Sequence, residues 1–420
     1  MAKKKKEVKK SEWTETPFGA TLKFFLTQIE GLEKSVIAIL LMQKLHEKET
    51  KELEEFIDKK GQNIRKKSGT TYFKLDPVDR GTYEKIKQER NKSKTALEAL
   101  PRALFVSLVS QYDLIVASLI KAILKEHPTI ISPEKSLSFE EIQFFDSIDD
   151  IVEYLVEEEV DSILFKSHNF HIEWIEKKTG VELSVSLKEE IPCFTELTER
   201  RNLFVHANGI ANRKYIRNCK DINCPHKKGL KQGKQLDVNS AYFRDSYECL
   251  YKISVKMTYL IWEKLNTNKD EVEEANTFFN NDIIVDLIKH KKYELADDLL
   301  SFAAEHFVGV PEIYRKLFTI NRALVNKLAG KEDIARKIIG STDWTAAGNE
   351  LRLAVAILED RFEDAFKLMR KIGKEGEFIG KENYHEDPLY EPVRQRPEFA
   401  KVYREIYGTD FVSAVKILKK

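Results

Sequence analysis

Between Pro101 and Lys125 the chain is apolar on more than one face. Leu104, Phe105, Leu108, Leu114, Ile115, Ala117, Leu119, Ile120 and Ile123 leave Arg102 and Asp113 as the conspicuous polar members. A helix that is hydrophobic all round is stable only in the middle of a bundle, where other helices take its apolar surface out of water. Its covering helices are legible too. Leu22, Phe25, Ile29, Leu32, Val36, Leu40 and Leu41 recur at three- and four-residue steps within 19–66. Residues 80–98 read as a solvated helix, Asp149 to Asp161 as an acidic one, and 168–180 as one closed by Gly180. A further helix starts near Pro192, and Tyr242 to Leu265 carries Leu250, Ile253, Met257, Leu260 and Ile261 on one side. Only 17 Gly and 11 Pro interrupt the 420 residues, so the fold class is all-α.

The first 16 residues are basic and polar and read as a disordered tail. Residues 17–269 form the first helical domain. Residues 275–420 change character, with helix pairs carrying small residues at recurring places. Tyr293-Glu-Leu-Ala296 and Phe362-Glu-Asp-Ala365 lie 69 residues apart, about two tetratricopeptide periods of ~34 residues, and Ala335 falls between them. Asp387 to Phe399 is similar to the end of many tetratricopeptide arrays. This part is expected to be a repeat domain that holds a protein or ligand partner.

No secretory signal follows the basic start, and no run approaches the ~18 apolar residues that span a bilayer, so no membrane role is expected. Cys193, Cys219, Cys224 and Cys249 form no disulfide framework, which fits a reducing cytoplasm. The net charge of +1 makes global attraction to nucleic acid weak, so any such site must be local. No glycine-rich phosphate loop, nucleophile elbow or paired metal-binding carboxylate motif is present.

The chemistry concentrates at residues 199–209, Glu-Arg-Arg-Asn-Leu-Phe-Val-His-Ala-Asn-Gly. Arg201, Asn202 and His206 lie on or just beyond one helical turn, with Leu203, Phe204 and Val205 between them. An Arg holds phosphate charge and a His moves a proton near neutral pH. Asn202 precedes His206 by four residues and shares its helical face. Arg201-Asn-Leu-Phe-Val-His206 resembles the Arg-x4-His motif of the HEPN superfamily, compact helical domains that are often metal-independent ribonucleases. The blocks 99–113 and 198–209 resemble those of bacterial HEPN proteins linked to phage defence, and the likeness extends over roughly 19–265.

The resemblance implies an endoribonuclease that needs no cofactor and no metal. The 2′-OH of RNA attacks the phosphate, leaving a 2′,3′-cyclic phosphate and a 5′-OH. His206 moves the proton, Arg201 binds the non-bridging oxygens, and Asn202 orients the imidazole or contacts the phosphate. A homodimer would supply a second His. Asp113 is a supporting residue that orients Arg201 or Asn202, and Arg200 rivals Arg201 through an Arg-x5-His spacing. The alternative is a non-catalytic HEPN module that binds a nucleotide or a partner while the repeats scaffold an assembly.

Ten Lys or Arg and one acidic residue, Asp221, occupy Arg200 to Lys234, with Tyr215 interleaved. Arg213, Lys214, Arg217, Lys220, Lys227 and Lys228 are the candidate RNA-binding residues of this glycine- and lysine-rich loop. Cys219, Cys224 and His226, with Cys249, lack a standard zinc spacing. His168 and His171 stand three apart and read as flanking Trp174 on a partly buried face rather than as metal ligands.

Overall fold

The computed structural model describes residues 12–127, 130, 137–221, 231–265, 269–307 and 309–411. Helix accounts for 76% of the structure and strand for 3%. The chain divides into two compact units, Thr21–Met257 and Met1–Ala20 with Thr258–Lys420. The two breaks fall after Ala20 and after Met257, each inside a helix.

The first unit contains α1 (Pro17–Ser35), α2 (Ile37–Lys60), β1 (Gln62–Lys67), β2 (Thr70–Lys74), α3 (Arg80–Glu126), α4 (Phe139–Ile142) and α5 (Ile148–Leu164). It continues through α6 (His168–Thr179), α7 (Leu183–Ser186), α8 (Ile191–His206), α9 (Arg213–Asp221) and α10 (Ser240–Leu265). The solvated stretch 80–98 and the apolar stretch 101–125 are one helix of 47 residues that runs through Pro101. The missing N–H of Pro101 leaves the Leu97 carbonyl without its helical partner, at a cost of about 3 kcal/mol. Burial of Phe105, Leu108, Val109, Ile115, Val116, Leu119, Ile120 and Ile123, each contributing about 1.5–3 kcal/mol, outweighs it. This half of α3 has the length and mean hydropathy (1.8) of a bilayer-crossing segment, yet in the unit it is the central core helix. Leu114 is the exception, an exposed residue on its rim.

The apolar stripe of 19–66 buries only in part. Leu22, Phe25 and Ile29 are in the core, but Leu40 and Leu41 stay 56% and 61% exposed, because the chain turns at Val36 and α2 leaves the bundle to pair with the first half of α3. None of the residues of α2 is buried. His46 meets Ser93 across the pair at 2.9 Å. The far end is an antiparallel hairpin, with Arg65 opposite Tyr72 and Lys67 opposite Thr70, so the helix expected to reach residue 66 stops at Lys60. Its two-residue turn, Ser68 at φ 49 and Gly69 at φ 78, is left-handed throughout. Phe73 anchors the hairpin edge-on against Tyr83 of α3.

The second unit corrects the N-terminal expectation. Glu12–Glu15 is a 3-10 helix, and Trp13 is fully buried, stacked on Tyr259 and tilted against Phe278. The tail expected over 1–16 is therefore ordered structure from residue 12. The unit continues with α11 (Lys269–Phe278), a π-helical turn (Phe279–Ile284), α12 (Val285–Lys289), α13 (Tyr293–His306), α14 (Glu312–Leu328) and α15 (Glu332–Gly340). It ends with α16 (Asn349–Leu358), α17 (Phe362–Ile372), α18 (Lys381–Glu386), α19 (Glu391–Arg394) and α20 (Pro397–Tyr407).

Three helical hairpins, α12–α13, α14–α15 and α16–α17, share one turn. A left-handed residue (Lys291, Gly330, Asp360) precedes an N-cap near φ −90, ψ 60 (Lys292, Lys331, Arg361). The N-cap N–H donates to the carbonyl five residues back, that of Leu287, Asn326 and Ala356 in turn, at 2.8–2.9 Å. Four residues after each cap stands a buried alanine, Ala296, Ala335 or Ala365. The hairpins recur at steps of 39 and 30 residues, on either side of the period read from the sequence. Beside the π turn opens a cavity of about 400 Å³, where the buried Asn280 accepts a hydrogen bond from Asn321 at 2.8 Å.

Candidate functional site

Helix α8 carries the motif. Pro192 sits in its first turn, where a missing N–H costs nothing. Thr195, Glu199, Asn202 and His206 follow one another at three- and four-residue steps, so they form one edge of the helix. That edge, together with Arg201, lines a cavity of about 930 Å³. Asp113 of α3, Lys166 just before α6, His168 at its start, and Lys214 and Asn218 of α9 also line it. Three permanent cations, Arg201, Lys166 and Lys214, face two carboxylates, Asp113 and Glu199.

Arg201 is held from two sides. Its Nη2 donates to Asp113 Oδ2 at 3.2 Å and its Nη1 to Asn202 Oδ1 at 3.1 Å. Its Nε is buried with no partner among the described residues. The second oxygen of Asp113 takes His168 Nε2 at 2.8 Å. Asp113 thus links a guanidinium and an imidazole through its two oxygens. His168 lies edge-on to Phe194, and Ser167 caps its helix by accepting from the Phe170 N–H. His171 lies one turn on, buried, and desolvation followed by the neighbouring His168 pushes it below the ordinary imidazole range. His206 ends α8 as an exposed side chain with no hydrogen-bond partner among the described residues. Asn202 is bonded to Arg201 and not to His206.

The end of α8 is fixed by its exit. Asn208 and Gly209 are both left-handed, at φ 48 and φ 75, and the Gly209 N–H closes on the Leu203 carbonyl at 2.9 Å. The Gly209 carbonyl then accepts the Leu236 N–H, and Ile210 bridges Gln235, which ties the chain down beside His206.

Arg200 has a different place. It is 6% exposed, with Nε on Glu196 Oε1 at 2.7 Å, Nη1 on the Asp237 carbonyl at 3.1 Å and its guanidinium 3.8 Å from the centre of the Tyr242 ring. Tyr215 and Tyr242 both donate to Glu196. Desolvation and the Glu196 charge push both phenols up, while the Arg200 charge opposes. This closed network joins α8, α9 and α10 away from the cavity. Tyr215, expected among the basic residues of an RNA-tracking loop, is a core residue, and that loop is in part the helix α9.

Of the candidate RNA-binding residues, Lys214 lines the cavity, while Arg213, Arg217 and Lys220 are exposed on α9. Arg213 is bonded to Gln232. Lys227 and Lys228 lie outside the described residues, as do Cys224 and His226. Cys219 and Cys249 are buried, and among the described residues no group of three metal-ligating side chains converges. His168 is the site residue that the sequence did not single out for chemistry. There it reads only as flanking Trp174, and its partner Asp113 lies 55 residues away in the chain. No family model, curated protein or solved structure matches this chain.

Proposed function

We propose that the chain is a metal-independent endoribonuclease of the HEPN type, a toxin-like effector of anti-phage defence whose helical repeats resemble tetratricopeptide units. The reading rests on one observation: Arg201, held by Asp113 and Asn202, lines the same cavity as the exposed His206. A phosphodiester in that cavity has a preorganised guanidinium for its non-bridging oxygens. The imidazole of His206 takes the proton of the 2′-OH. That oxygen bonds to phosphorus, the P–O5′ bond breaks, and the 5′ oxygen gains a proton. Lys214 and the exposed Arg213, Arg217 and Lys220 extend the positive surface along α9 for the flanking backbone. The resemblance further implies a cytoplasmic homodimer, and the cavity beside the π turn of the repeat unit is where a protein or ligand partner would dock.

The test is incubation of the protein with total RNA in EDTA and mapping of fragment ends. Wild type is expected to leave 5′-OH and 2′,3′-cyclic phosphate ends. Arg201→Ala and His206→Ala are each expected to lose about 10²–10⁴-fold in rate, and all-deoxy substrates to stay intact. A second reading has its own support, because Asp113 already neutralises part of the Arg201 charge. A protein that cuts no RNA, and whose two variants keep full biological activity, is the non-catalytic nucleotide- or partner-binding module instead.

A further inference from the structure

In-line transphosphorylation runs best with a base at the attacking oxygen and an acid at the leaving oxygen. The motif supplies one imidazole per chain, and a dimer is one way to bring a second. The cavity offers another, because a second imidazole already lines it. His168 comes from α6 and is 15% exposed, bonded through Nε2 to Asp113 at 2.8 Å. We propose that His168 is the second proton-transfer residue of the site, so that a single protomer holds both the base and the acid of the reaction.

This assignment rests on the nuclease reading and adds to it a residue and a stoichiometry. A carboxylate oxygen accepts, so toward Asp113 the Nε2 of His168 is the donor nitrogen of the ring. Nδ1 is then the nitrogen left for substrate, and no described residue bonds it. Asp113 has no free oxygen to spare, since its other one holds Arg201. It therefore acts as a positioning residue for the cation that binds phosphate and for the imidazole that protonates the leaving group. His206, with no hydrogen-bond partner among the described residues, is the base. It takes the 2′-OH proton as the new O–P bond forms. His168 gives its Nδ1 proton to the 5′ oxygen as the P–O5′ bond breaks. The charged and titratable groups around His168 are Asp113 and Tyr112 on α3, Lys166 before the helix, His171 on its own helix, Glu199, Arg201 and His206 on α8, and Lys214 on α9.

The experiment compares wild type, His168→Asn and His206→Ala on an RNA dinucleotide and on the same dinucleotide with a bridging 5′ sulfur. A thiolate leaves without a proton, so it no longer needs the acid. His168→Asn, whose amide can still reach Asp113, is expected to lose about 10²-fold or more in kcat on the oxygen substrate, to lose the alkaline limb of its pH profile, and to recover near wild-type rate on the sulfur substrate. His206→Ala is expected to stay slow on both. A mixture of the two variants is expected to stay inactive on RNA, because every site then lacks one group. Wild-type cleavage with His168→Asn equally fast, or slow on both substrates, overturns the role of His168. Restored activity on mixing overturns the single-protomer arrangement. A wild type inactive on both substrates fails the nuclease reading itself, and this one with it.

Discussion

Two adjacent arginines on α8 have opposite fates, and the difference comes from about 100° of helical rotation. Arg200 points into a cage of Glu196, Tyr215 and Tyr242, where a guanidinium is tolerated because every nearby polar atom answers it. Arg201 reaches the cavity, keeps one donor unspent and shares Asp113 with His168. Beneath them, His171 links the site to stability. Burial holds its folded pKa below the ordinary 6.5, so the unfolded chain takes up a proton that the folded one refuses. Stability is then full above about pH 6.5 and falls as the pH drops through that value toward the depressed one. The urea midpoint of the wild type is expected to decline between pH 7.5 and 5.5, and that of His171→Leu to decline less. Equal slopes would remove His171 from the account. The motif itself was visible as Arg-Asn-x3-His. The choice between Arg200 and Arg201, and the part of His168, were not. Each depends on which side of a helix meets which distant one.

At the scale of elements, the long periodic helices were readable because their apolar residues repeat at the helical step over many turns. The hairpin was not. Residues 62–67 read Gln-Asn-Ile-Arg-Lys-Lys, poor in β-branched residues, and only Ser68-Gly69 announced a turn. Pro101 was misleading for a related reason, since its local preference to end a helix loses to the burial that follows it. The exit of α8 shows local geometry serving the site. A Cβ on Gly209 would lie 2.6 Å from the Phe204 ring, on a residue already at φ 75. Gly209→Ala is expected to cost about 1–3 kcal/mol and to lower RNA cleavage, because Phe204 and the neighbouring His206 must shift. Denaturant unfolding and the EDTA assay on one preparation check both. Unchanged stability would show that the turn relaxes freely.

At the scale of the whole chain, large apolar side chains build the first unit around α3, and small residues mark the helical hairpins of the second. Ala296, Ala335 and Ala365 occupy one position of a shared turn-and-helix unit, which shows in the sequence as small residues at uneven spacing. The boundary was less legible, because it runs through α10, a helix whose apolar side continues past Met257 without a break. Ala335→Leu is expected to destabilise the repeat unit by about 1–3 kcal/mol by overpacking α14 against α15. Differential scanning calorimetry should show a lower transition, and an unaltered thermogram would mean that the hairpins leave room there. The 47 residues of α3 have a mechanical corollary. From Arg80, just past the foot of the hairpin, to Asp113 one continuous helix runs for roughly 50 Å. A displacement imposed at Tyr83, which Phe73 touches, would be carried along that helix toward Asp113, and Pro101, which removes one bond of the ladder, is where the helix would bend first.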